Sequence, residues 1–202
     1  ANIDFFTAPY DFDYIDRINK YVPAYKIGSG DITWNDALIR IAKKKKPIFL
    51  ATGASSIEDV KRAFKIITKI NNKICIMQCN TNYTGKMENL KFVNLNVLKQ
   101  FKKIFPKAIL GLSDHTPGHS SVLGAITLGA RVIEKHFTYS NKVDGPDHFF
   151  SMNPKSWKEM IERSRELELA LGSNKKKVEN NEKETVMVQR RSAHLLINLK
   201  KK

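Results

Sequence analysis

Residues 111–119 read GLSDHTPGH. Just upstream, KAILGL (107–112) is apolar, the pattern of a strand buried on both faces. The chain then turns abruptly to Ser113, Asp114, His115 and Thr116. Four hydrogen-bonding side chains at a buried strand's end add nothing to core packing. The strand tip therefore reads as the wall of a polar site.

The same ending recurs. Apolar runs lie at IDFFTA (3–8), AYKIG (24–28), PIFLAT (47–52), ICIMQC (74–79), AILGL (108–112) and RVIEKHFT (131–138). They finish in TAPYD, GSGD, ATGASS, CNTNY, SDHT and KHFT. Between them run amphipathic helix patterns: WNDALIRIAKK, SIEDVKRAFKIITKI, VNLNVLKQFKKIF, SVLGAITLGA and, last, PKSWKEMIERSRELELAL. In the second, Ile57, Val60, Phe64, Ile67 and Ile70 form one stripe, and Ser55 with Glu58 reads as a capping box. Alternating strands and helices specify an α/β fold with a parallel sheet. An open doubly wound sheet gathers its site at one switch point. A (β/α)8 barrel of the TIM type draws on the C-terminal ends of many strands. Polar chemistry at six successive strand ends favours the barrel. Six units fall short of eight, so the expectation is a truncated barrel whose first two strands lay upstream. It spans residues 1–172. Residues 173–202, polar and lysine-rich at first, read as a linker, with SAHLLINL (192–199) as a strand opening a second domain.

The chain has 202 residues, 42% of them hydrophobic and 27% charged, with a formal net charge of +15. That composition is globular. No apolar run is long enough to cross a bilayer, and the N-terminus has no signal-peptide pattern. Lysine outnumbers arginine by more than three to one, in scattered positions and short runs such as KKKK at 43–46. Without a nucleic-acid motif or an arginine-aromatic platform, the charge reads as a solvated surface. Cys75 and Cys79, about 13 Å apart along one strand face, are too distant to bridge and read as buried free thiols in a reducing, cytoplasmic setting.

His115 and His136 end consecutive strands, which lie about 5 Å apart in a sheet, so their imidazoles can converge on one ion. Asp147 follows in the turn-rich DGPDH. Two histidines and a carboxylate suit Mn, Fe or Zn. Either histidine alone reads as a satisfied core side chain, and His119 and His148 read as exposed loop residues. Lys26 lies inside an apolar strand, costly without an anionic partner. Gly28, Ser29 and Gly30 follow it, and ATGASS puts Thr52 and the Gly53 amide at a helix N-terminus, a natural anion site. There is no GxGxxG, no P-loop and no nucleophile elbow. The residues alone specify a metal-dependent barrel enzyme acting on an anionic, phosphorylated substrate.

At VPAYKIGSGDI (22–32), GLSDHTPG (111–118), VIEKHFT (132–138) and GPDHFFSMNP (145–154), with FFTAP, PIFLATG and CNTNY between, the chain resembles the N-acetylneuraminate (sialic acid) synthase family of bacterial nonulosonic acid synthases. ETVMVQRRS (184–192) is similar to that family's linker into a small antifreeze-like domain. The resemblance implies a (β/α)8 barrel, often in a homodimer. It implies condensation of phosphoenolpyruvate with N-acetylmannosamine or a related N-acetylated sugar, aided by a divalent metal, commonly Mn2+. It implies His115 and His136 as metal ligands, and Lys26, Ser29 and Ser113 on the carboxylate and phosphate of phosphoenolpyruvate, with Thr52 and Thr81 as further substrate contacts. Asp31, Tyr83 and Asp147 would face the sugar or a metal-bound water, and Asp114 would orient its neighbours. Three positions depart from the family pattern: Ala8, Ala51 and the CNTNYT segment, each shifting or removing a hydroxyl. With two strands lacking, weak or no activity is expected of the chain alone. The alternatives are a related phosphoenolpyruvate-dependent 2-keto sugar acid synthase, or a non-catalytic paralogue that binds sugar or phosphate.

Overall fold

The computed structural model describes residues 2–198 and Lys200. It divides into two units, Ala1–Ala170 and Leu171–Lys202. The first contains α1 (Phe12–Arg17), β1 (Tyr25–Ile27), α2 (Asn35–Lys43), β2 (Ile48–Ala51), α3 (Ile57–Thr68), β3 (Ile74–Cys79), α4 (Val97–Ile104), β4 (Ile109–Asp114), α5 (Ser120–Thr127) and β5 (Ala130–Lys135). Helix α6 (Pro154–Leu171) closes it.

All strand pairs are parallel and the order is β1-β2-β3-β4-β5. Sequence order equals spatial order, so there is no reversal of the kind that makes a doubly wound switch point. The sheet is also curled. Four inter-strand spacings in a flat sheet would put β1 and β5 about 19 Å apart. Yet Lys26 on β1 forms an ion pair with Glu134 on β5. Two side chains cannot span a flat separation of that size, so the strands bend round one interior, as barrel strands do.

Alternation along the strands then sorts the residues. Tyr25, Ile27, Ile48, Leu50, Ile74, Ile76, Leu110 and Leu112 face the helices and form one core with Leu38, Ile41, Val60, Ile67, Leu98 and Phe101. Leu50 has no exposed surface. Leu50→Ala is expected to cost about 2–5 kcal/mol, read as a lower urea midpoint with an unchanged m-value. Lys26, Phe49, Ala51, Cys75, Met77, Cys79, Gly111, Ser113 and Glu134 occupy the alternate positions, on the inner face. Gly111 is required there: a Cβ would sit 2.9 Å from Met77 Cγ and 3.0 Å from both Cys75 Sγ and the Val132 carbonyl oxygen.

Four expectations are corrected. IDFFTA is not a strand: only Thr7 bridges to Tyr25, and Pro9, lacking an amide hydrogen, stops the pairing. The last run leaves the sheet after Lys135, and Phe137 bridges instead to Met152. The capping box of α3 is Ser56 with Asp59, one residue later than Ser55 with Glu58, because the Ser55 hydroxyl donates to the Gly53 carbonyl. In the second unit, α7 (Lys183–Gln189) is helical, and residues 192–198 form no strand; Leu199 lies outside the described residues. The KKKK run is largely used internally. Lys44 pairs with Asp16, Lys45 donates to the Ile70 carbonyl near the end of α3, and Lys46 donates to the carbonyls of Asn19 and Val22. None of the described helices is long and apolar enough to cross a membrane.

Candidate active site at the strand ends

The inner face becomes polar toward the C-terminal ends of the strands. His115 directly follows β4 and His136 directly follows β5, and their ring centroids are 5.1 Å apart. Tyr83, from the loop after β3, lies 4.3 Å from the His115 ring and 5.6 Å from the His136 ring. Phe150 packs 5.2 Å from His136. The strand ends thus bring together His115, His136 and Tyr83.

Both imidazoles meet an oxygen at Nδ1, and for His115 the contact is a hydrogen bond. His115 Nδ1 lies 2.9 Å from the carbonyl oxygen of Asn80. A carbonyl only accepts, so Nδ1 carries the proton and Nε2 keeps its lone pair. His136 Nδ1 lies 3.5 Å from Asp147 Oδ2, which places the Asp147 carboxylate beside the ring. Among the described residues, no three His, Cys, Asp or Glu side chains gather closely enough to hold a metal ion. The donor set still fits a divalent ion: two imidazoles, one with a free Nε2, leaving positions for water and substrate oxygens.

Burial, the largest influence on it, pushes the His115 imidazole below the ordinary histidine value of 6.5. The folded chain therefore keeps this ring neutral where the unfolded chain protonates it. Stability from this group is present above pH 6.5 and is lost as pH falls through the folded value. Urea midpoints measured between pH 7.5 and 5 should fall with acid, and His115→Gln should flatten that dependence.

A second cluster lies beside the histidines. The Gly53 amide donates to Ser29 Oγ at 3.0 Å. A Cβ on Gly53 would sit 2.6 Å from Thr81 Oγ1, 2.8 Å from Ser29 Oγ and 3.1 Å from Cys79 Sγ. Ser113 is the register partner of Cys79. Ser29, Gly53, Thr81 and Ser113, contributed from the ends of four strands, make a cradle of small donors suited to an anion. Gly53→Ala would push the two hydroxyls apart and should raise the KM for an anionic substrate by about tenfold, the effect of losing about 1.4 kcal/mol of binding. The Cys79 thiol is raised mainly by burial and the Cys75 thiol, for the same reason, to about 12, so burial favours the neutral thiol in both.

Thr52 is corrected. Strand alternation turns it to the helix side, where its hydroxyl donates to the Met77 carbonyl at 2.9 Å. It lines a cleft of about 470 Å³ with Ser55, Gln78, Asn80 and Phe92, and neither histidine opens onto that cleft. Asp31 closes the turn after β1, its amide donating to the Gly28 carbonyl, and burial raises its carboxyl. His148 is held by Thr138 Oγ1 at 2.7 Å, and the His119 carbonyl accepts the Leu123 amide in the first turn of α5. Three further residues beside this site, Glu134, Lys135 and Asn80, are not among those the sequence motifs indicate. Glu134 and Lys135, like Lys26, are charges inside an apolar strand, which is their signal in the sequence. Asn80 acts through its backbone carbonyl, which no side-chain pattern signals.

The chain is 34% identical over its whole length to the N,N'-diacetyllegionaminic acid synthase of Campylobacter jejuni, matching 60% of that protein. It is 33% identical, over 82% of its length, to human N-acetylneuraminate-9-phosphate synthase, matching 45% of it. A crystal structure of the N-acetylneuraminic acid (sialic acid) synthetase of Leptospira borgpetersenii, in complex with citrate, superposes with a TM-score of 0.83 over 93% of the chain and 65% of that protein, at 26% identity. The chain thus spans about half to three-fifths of the length of these curated relatives. The NeuB family pattern matches residues 1–176, which include every strand of the curled sheet and the histidine pair. The chain belongs to the NeuB family.

Proposed function

We propose that the protein is a nonulosonic acid synthase that condenses phosphoenolpyruvate with N-acetylmannosamine or a related N-acetylated sugar, releasing phosphate. The observation that carries this reading is the juxtaposition, on one inner face, of a histidine pair, a strand-borne lysine and a cradle of small donors. In the reaction, C3 of phosphoenolpyruvate bonds to the aldehyde carbon of the open-chain sugar, whose oxygen takes up a proton. Water adds at C2 and gives up a proton, and phosphate leaves with its bridging oxygen.

His115 Nε2 and His136 would hold a divalent metal, which supplies Lewis-acid polarisation of the aldehyde oxygen. Lys26 lies on the same inner face as the cradle, and its ion pair with Glu134 aims it inward. It would turn to the carboxylate and phosphate of phosphoenolpyruvate, with Ser29, Thr81 and Ser113 donating beside it. Glu134, freed from Lys26 as the anion binds, would accept the proton of the adding water. Tyr83 and Asp147 lie against the histidines, and the sugar would lie beside them. The full-length protein is taken to work as a homodimer in the cytoplasm.

The test supplies full-length protein with phosphoenolpyruvate, Mn2+ and a panel of N-acetylated six-carbon sugars. The expected product is one sugar made heavier by the elements of pyruvic acid. No such product with any sugar, from folded metal-loaded protein, would favour the paralogue that binds without turnover, for which Ala51 on the inner face gives a structural reason.

A further inference from the structure

Beneath the histidine pair, on the helix side of the strands, lies a buried ionic network. Asp114 and Lys135 are register partners on β4 and β5. Their side chains are 1% and 2% exposed, and Lys135 Nζ donates to Asp114 Oδ2 at 2.7 Å. The same carboxylate oxygen accepts from Ser121 Oγ at the start of α5. Asp114 Oδ1 accepts from the Thr116 amide at 3.0 Å and the Thr116 hydroxyl at 2.8 Å. Lys135 Nζ also donates to the Thr116 carbonyl at 2.6 Å.

Each end of this pair immediately precedes one of the histidines: Asp114 before His115, Lys135 before His136. Thr116, on the other side of His115, is gripped at its amide, hydroxyl and carbonyl. His115 is therefore held between two clamped residues, and the backbone of His136 is tied to the same clamp. A buried ion pair is poor value for stability compared with apolar packing, and its best-attested use is to impose one geometry. Here the geometry imposed is the spacing of two imidazoles on the opposite face of the strands.

We infer that Asp114 and Lys135 are positioning residues, a single clamp that sets the separation and orientation of His115 and His136. The inference rests on the reading that those histidines hold the metal, and its test separates the two. In the full-length protein, Asp114→Asn/Lys135→Met removes both charges while keeping side-chain size and an acceptor for Thr116. Two quantities are read: Mn2+ affinity, and the tautomer of His115 in metal-free protein by long-range ¹⁵N–¹H NMR. The double variant should fold, bind Mn2+ about 10- to 100-fold more weakly, the range for residues that orient metal-binding side chains, and show a mixture of His115 tautomers in place of Nδ1–H alone. Native Mn2+ affinity with an unchanged tautomer would overturn the clamp. Should that variant not fold, Ser121→Ala, which removes one hydroxyl from Asp114, decides: a severalfold loss of Mn2+ affinity supports the clamp and none overturns it. His115→Ala/His136→Ala is the control for the metal reading. If that protein binds Mn2+ like the wild type, the metal reading fails and the tautomer alone decides the clamp.

Discussion

His115→Ala is expected to lower kcat/KM for metal-dependent phosphate release by about 10³-fold. Lewis-acid polarisation contributes several kcal/mol to such a transition state, and each 1.36 kcal/mol is tenfold in rate. The ring is anchored by the Asn80 carbonyl with Nε2 left over, so its removal takes away a directed donor. The fold should survive, because the imidazole sits at a strand tip outside the apolar core. The measurement is steady-state phosphate release over a range of Mn2+ concentrations. Loss that excess Mn2+ restores would mean weakened metal binding, whereas loss at saturating metal would mean an altered site.

Lys26→Met is expected to raise the KM for phosphoenolpyruvate by about 10- to 10²-fold. Hydrogen bonds to charged groups contribute about 1.5–3 kcal/mol. Methionine keeps the apolar stem and removes the ammonium. Glu134, at 45% exposure, can be hydrated when its partner is lost, so the stability cost should be small. Mn2+ affinity should be unchanged, because the lysine is not among the groups packed on the histidines. A variant that loses Mn2+ binding along with phosphoenolpyruvate binding would show that the two clusters are one site with shared ligands.

Much of this arrangement was legible in the sequence. Polar clusters at strand ends pointed to one face of a parallel sheet, and His115 and His136 stood at equivalent positions of consecutive runs. What stayed hidden has a physical reason in each case. Strands buried on both faces show no polar alternation, so Thr52 could not be assigned to the helix side by pattern. Asp114 and Lys135 are charged residues at positions where composition predicts apolar ones, and each is tolerable only because the other lies across the register. Two overlapping Ser-x-x-acid patterns competed for the start of α3, and a local bond to Gly53 decided between them. The run IDFFTA has strand composition, but pairing needs free amides, and beyond Thr7 it meets Pro9. The barrel-like curl was legible from the polar strand ends, but the Lys26–Glu134 pair across its interior was not, because no sequence pattern matches β1 with β5.

The most direct measurement is phosphate release by the full-length protein under four conditions: phosphoenolpyruvate alone, with Mn2+, with the N-acetylated sugar, and with both. The account predicts release only when metal and sugar are present together, and release lowered about 10³-fold by His115→Ala. Release that needs no sugar, or that survives a chelator and the loss of His115, would contradict it.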